Sequence, residues 1–474
     1  MRFTQGSLSM LLQRKKCHLF NALGGVVIVG TLLLGGGGLA QAASPISISD
    51  NHQVADGVTE EYSTIGVDNG GTLGIARQGK VVGTDVTVNT GGTLTSGKNL
   101  HIGTFTTPIP NTGLLANSLS VSGGTVTASH LGFSTNGKVT VGAGTLTLDS
   151  VQFGSESYQV GQLVVSGGTL EIGNLSIAHD KLVNSAADAS LALNNNGQLN
   201  VRDTLSITGG SYTNTLTGAL KTGKLLMDAG QSYTHNTRAS LNIIGTAGGG
   251  VFFTGSSLTV SQGDVSLGSD ATPSGTHTTT AAVAVGGGEF QVGHGNWKTG
   301  ALTQTGGTVE VSGNSVLTVD SLAQTGGLFT VGGSSNTGKL VVDGSVANTT
   351  YASGSAGIAV TGTGVLDVQY SQLVNSAGND FLNTTTQKAI NVDKGGTLLL
   401  SGYNGAGMNL TDFGTLTGKL LASGSTGTVQ GVTINGVDET TALQDVADAH
   451  ASVPDAVVDG SAGINSGASD WHCR

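Results

Sequence analysis

Two stretches set twenty residues apart, LTQTGGTVEV from Leu302 and LAQTGGLFTV from Leu322, have nearly the same wording. In each, a pair of glycines is followed by a short run that alternates apolar with polar residues. Alternation of period two, bounded by turn formers, is the pattern of a strand with one buried face. The signal Gly-Gly-Thr-Leu/Val recurs at Gly70 and Gly71, Gly91 and Gly92, Gly123 and Gly124, Gly167 and Gly168, Gly306 and Gly307, and Gly395 and Gly396; Gly326 and Gly327 open a Leu-Phe variant. The steps include 21 residues (Gly70 to Gly91) and 20 (Gly306 to Gly326), with 32 and 44 between others.

A step near 20 with irregular interruptions predicts a β-solenoid, in which each turn of the chain is one coil and loops are inserted at corners. One coil cannot bury its own apolar face, so the stack is the stable unit. The glycines are expected at the coil turns, where left-handed backbone costs them little. In TVEV, Val309 and Val311 should point inward and Thr308 and Glu310 outward, with Phe329 and Val331 repeating the inward pair one coil on. Threonine, serine and asparagine at matching places should form ladders outside. Residues 43–431 keep this style, and the 432 residues after the signal segment (474 minus 42), at about 20 per coil, predict roughly 20 coils and a rod on the order of 100 Å long. The competing all-β arrangement is a series of sandwich domains of about 100 residues each; the short repeat step and aromatic content of only 4% argue against it.

Composition excludes other classes. Glycine occurs 79 times but proline only 5, and charged residues make up 10%, so neither collagen nor a charged disordered chain fits. Residues 1–42 read as a secretory signal peptide. Arg14, Lys15 and Lys16 precede an apolar run, and Ala40-Gln41-Ala42 supplies the small residues of a cleavage site between Ala42 and Ala43. The alternative for this run is an uncleaved membrane anchor. Cleavage removes Arg2, Arg14, Lys15 and Lys16 and no acid, so the formal charge of -11 becomes -15. So acidic a chain does not suit nucleic acid. The two cysteines, Cys17 and Cys473, leave the body without a disulfide. Residues 432–474 form a tail in which residues 438–450, DETTALQDVADAH, predict a short helix.

Reactive groups are sparse. Gly-x-Ser-x-Gly does not occur, and Gly223-Lys224-Leu225 and Gly338-Lys339-Leu340 lack the hydroxyl that a phosphate-binding loop places after lysine. The ten histidines are scattered singly and read as solvated turn residues rather than metal ligands. Asp264 with Asp270, and Asp438 with Glu439, are the nearest approach to the paired carboxylates of polysaccharide-cleaving β-helices, and read as turn formers or caps. Phe252, Phe253 and Trp297 offer two readings: exposed platforms for sugar rings, or corner packing. No catalytic residue, metal ligand or cofactor site is assigned, and the expectation is a protein that is not an enzyme and carries no cofactor.

The long signal segment, the cysteine-free body and units such as NTGGTLTSG, VSGGTLEIG and QTGGTVEVSG resemble the passenger regions of bacterial autotransporter adhesins, the type V secretion family with AIDA and antigen-43-like members. Glycine-rich solenoids of filamentous haemagglutinin-like exoproteins share the style. The resemblance implies a right-handed parallel β-helix, exported to the surface or exterior of a Gram-negative cell, that mediates adhesion, autoaggregation or biofilm formation. The implied partners are host-cell or matrix surfaces, glycans or a second copy, with membrane contact only during export or through a translocator. Family members end in a membrane β-barrel; no such pattern is read after Gly431, which leaves a truncated passenger, a released product and export by a separate partner as alternatives, with a periplasmic location if no translocator serves it. A carbohydrate-active β-helix enzyme and a fibril-forming structural protein are the other functional readings.

Overall fold

The computed structural model describes residues 43–104, 112–134, 136–153, 161–184, 191–194, 196–269, 275–333, 337–343, 346–348, 357–369, 390–401 and 419–422. The signal segment, the predicted helix at 438–450, Asp270, Asp438 and Glu439 lie outside these residues.

Apart from one 3-10 turn at His179–Lys181, every element described is a strand, and every strand pairing is parallel. The strands form a 25-stranded and a 13-stranded sheet. Parallel neighbours need a crossover between them. Here the crossover is the rest of the coil, so the chain is a parallel β-helix. Around the doubled motif, Gly295–Gln304 pairs with Ser315–Gln324 and Thr308–Val311 with Leu328–Val331. Leu302 stands opposite Leu322, Val309 opposite Phe329 and Val311 opposite Val331. All six are buried, while Thr308 and Glu310 are not. The inward pairs expected from the repeat are therefore in place.

One ladder runs unbroken through fifteen rungs, from Asn51–Val54 to Ile390–Val392. At about 4.8 Å per rung its length is ~67 Å over residues 51–392. From His52 to Ile390 it takes 338 residues in fourteen steps, about 24 per coil rather than the 20 expected. Steps along the ladder run from 19 residues (Phe290 to Val309) to 32 (Leu94 to Val126), because insertions are absorbed at corners without breaking the pairing. The 44-residue step from Gly123 to Gly167 is two coils: Thr145–Gln152, entered through Gly142-Ala143-Gly144, stands between them.

Each glycine pair lies at a turn between strands. At residues 89–92 the turn closes by Gly92 N–H donating to Asn89 O at 2.9 Å, with Gly91 left-handed at φ 77°. Gly92 has a different task. A Cβ there would stand 2.3 Å from Val67 O of the preceding coil. The first glycine turns the chain and the second lets coils stack. That division is not universal, since at Gly306-Gly307 and Gly326-Gly327 the second residue is left-handed, and neither Gly167 nor Gly168 is.

The interior is a column of Leu, Val and Ile stacked on like residues, each contributing about 1.5–3 kcal/mol by burial. Several buried polar side chains are satisfied by nearby backbone or by one another, whereas Tyr233 Oη and His277 Nε2 are buried without a hydrogen-bond partner among the described residues. Ser96 donates to Asn99 O at 3.1 Å and Thr222 to Lys224 O at 2.7 Å, both beside shifts of strand register. The glutamines of the doubled LTQTGG and LAQTGG also point inward. Gln324 Nε2 donates to Gln304 Oε1 at 2.9 Å, and Gln304 Nε2 donates to Leu328 O at 2.9 Å. The repeat thus contains an internal amide ladder.

Candidate interaction surface

Inward residues fill the core, so chemistry available to a partner lies on the outward half of each strand and at the corners. Along the fifteen-rung ladder the outward positions are overwhelmingly polar. In its first part they are threonines in register: Thr72, Thr93, Thr125, Thr145 and Thr169 in one column, and Thr95, Thr127 and Thr147 in the next. Farther along stand Asp264, Glu289, Gln291 and Glu310. At one corner Ser47 and Asn89 both donate to Asp68, the latter at 2.7 Å, and Ser122 donates to Asn89 Oδ1 at 3.1 Å. The bond from Ser47, followed by that from Asn89, holds the Asp68 carboxyl below its usual range. Another ladder links Ser232 with Ser256 at 2.8 Å and Ser257 with Ser232 at 3.0 Å. Outward hydroxyl and amide ladders are thus present, as expected from the repeat.

Asp264 is opposite Glu289 on the neighbouring rung, and Glu310 lies diagonally beyond. Burial, then the charges of Asp264 and Glu310, push the Glu289 carboxyl up. Among the described residues no group of three His, Cys, Asp or Glu side chains is arranged to hold a metal ion. Near the start of the rod, His52 Nε2 meets Glu60 Oε2 at 2.7 Å and Tyr62 OH donates to the same oxygen at 2.9 Å. The bond to Glu60 raises the His52 pKa against the opposing effect of burial. These contacts lie within one coil, where they tie the strand Asn51–Val54 to the strand Thr59–Glu61 that follows it.

One expectation about single residues changes, and one pair of readings is decided for packing. His235 and His277 are buried, not solvated. His235 Nδ1 accepts from Asn214 Nδ2 at 3.2 Å, and its Nε2–H donates to Ala239 O at 2.8 Å, since the amide nitrogen can only donate and the carbonyl only accept. Burial pushes its pKa down, as it does for His277. His277 stacks on Trp297 at 4.5 Å between ring centroids, and Phe252 meets Trp297 edge-on at 5.0 Å. Phe252, Phe253 and Trp297 are all buried, and Trp297 Nε1 donates to His294 O at 2.6 Å. Their role is packing, and the sugar-platform reading is withdrawn. The signal in sequence was alternation: His235 in YTHN and His277 in THT each occupy the inward place of a strand.

Comparison of the chain with family models, with curated proteins and with solved structures gives no match in any of the three.

Proposed function

We propose that this chain is an adhesin-like β-solenoid of the kind carried as a passenger by autotransporters, acting by binding rather than by catalysis. The observation that supports it is the unbroken ladder of fifteen rungs, whose outward positions repeat polar side chains at a fixed spacing over ~67 Å. Individually weak contacts on such a rod add through multivalency, which suits host-cell, matrix or glycan surfaces or a second copy of the rod. Export to the outer surface or exterior of a Gram-negative cell agrees with the basic and apolar segment that ends at Ala42.

The test is cell aggregation and surface binding by the purified chain at graded salt and concentration. Saturable binding to cells, matrix or itself is expected. Complete inertness toward all three overturns the reading, and turnover of any polysaccharide redirects it to the enzyme class.

A further inference from the structure

The five rungs at 72–75, 93–96, 125–128, 145–148 and 169–172 arrange their outward threonines as a two-dimensional lattice. Parallel pairing sets neighbours in a column about 4.8 Å apart and the two columns about 6.6 Å apart. Within these segments every rung keeps the same register, the one nearby shift falling after Ser96. Branching at Cβ restricts the side-chain rotamer, so hydroxyl and methyl are presented in a repeated orientation.

Among the described residues none of these eight hydroxyls is engaged by another side chain or a carbonyl, unlike Ser118, which donates to Asp85 at 2.6 Å, or the Ser232 and Ser256 pair. No charge stands inside the lattice; Glu171 bounds it at one end and Gly74 at the other. Two fixed repeats at right angles select a partner with repeats of its own. A charged partner would need countercharges that the lattice lacks. Binding of sugar rings draws on aromatic faces, and no aromatic side chain among the described residues is exposed.

We propose that this threonine lattice binds the surface of ice, its hydroxyls joining the ordered first layer of water and its methyls lying between them. A bridging water is enthalpically nearly as good as a direct hydrogen bond, and a lattice already in register has little left to order on binding. The inference does not rest on cell adhesion: aggregation and ice assays succeed or fail separately.

The experiment measures ice recrystallisation and crystal shape in the presence of the full chain, against an inert protein at equal concentration. The full chain should slow recrystallisation and facet growing crystals. Thr127→Tyr keeps a strand former but projects from the centre of the lattice; it should weaken the effect by about tenfold or more, because neighbouring rungs lose simultaneous contact. Thr330→Tyr, on the same ladder outside the lattice, should leave it unchanged. Thermal melting of both variants shows whether the fold is kept. Ice growth indistinguishable from that with the inert protein overturns the proposal, as does full activity in a folded Thr127→Tyr variant, or binding to crystalline polysaccharide without any effect on ice.

Discussion

Replacing Phe329 by alanine tests whether the rod is held together one rung at a time. The ring is fully buried, opposite Val309 on one side and Ile358 on the other. Truncating a buried phenylalanine costs about 3–5 kcal/mol, from lost transfer free energy and the cavity left behind. In a stack of repeats each coil touches its neighbours, so the loss should be concentrated in the rungs at 309–311, 329–331 and 358–360. Hydrogen exchange read by mass spectrometry resolves this. Since about 1.4 kcal/mol is a factor of ten, amides in those rungs should exchange a hundredfold faster or more. Amides at 125–128, nine rungs from Phe329, should change little. Leu328→Ala on the same strand provides the control, because Leu328 is 43% exposed and its loss should cost within about 0.5 kcal/mol. Equal deprotection at 125–128 and 309–311 would refute nearest-neighbour stacking, and unchanged protection at 309–311 would refute the inward packing of Phe329.

Gly92→Ala should destabilise by about 3 kcal/mol in urea unfolding, since its Cβ would meet Val67 O at 2.3 Å. Gly230→Ala, at φ 78° with open space around it, should cost only the left-handed penalty of about 1–2 kcal/mol. His235 and His277 have pKa values lowered by burial, and burial with nearby His130 and Lys98 brings His101 down to about 4. For each, the unfolded chain binds the proton first. Their stabilisation is therefore complete above about pH 6.5 and is lost as pH falls below it. His52, raised by Glu60, acts in the opposite sense. Melting temperature should fall between pH 7 and 5, and less steeply in a His235→Gln variant; an identical slope in both removes His235 from the account. Glu289→Gln removes a like charge beside Asp264 and Glu310, so it should stabilise the rod by about 0.2–1 kcal/mol at pH 7, measured by urea titration. Intact mass of the exported chain should correspond to an N-terminus at Ala43, and retention of residues 1–42 would favour the membrane-anchor alternative.

What the amino-acid order determined is local. Alternation decided which side chains of Thr308–Val311 and Leu328–Val331 face inward, and the glycine pairs marked where strands end. The 20-residue offset then implied stacking, because each short strand had one apolar face and no partner within its own coil. What only the tertiary structure decided is which rungs touch. The rungs beginning at Gln198, Ala219, Leu241, Asp264 and Glu289 carry no Gly-Gly-Thr signal, yet pair as regularly as those that do. Thr95 and Thr127 are neighbours although 32 residues separate them. Insertions at a corner change the step without changing the pairing, so register between coils leaves no fixed period to read. The same holds for the interior polar groups: Gln304 bonds to Gln324, and His235 to Asn214, only because the coils between them close in register. Strand pattern is a property of neighbouring residues, whereas the lattice on the surface and the ladder in the core depend on how much chain each corner takes up.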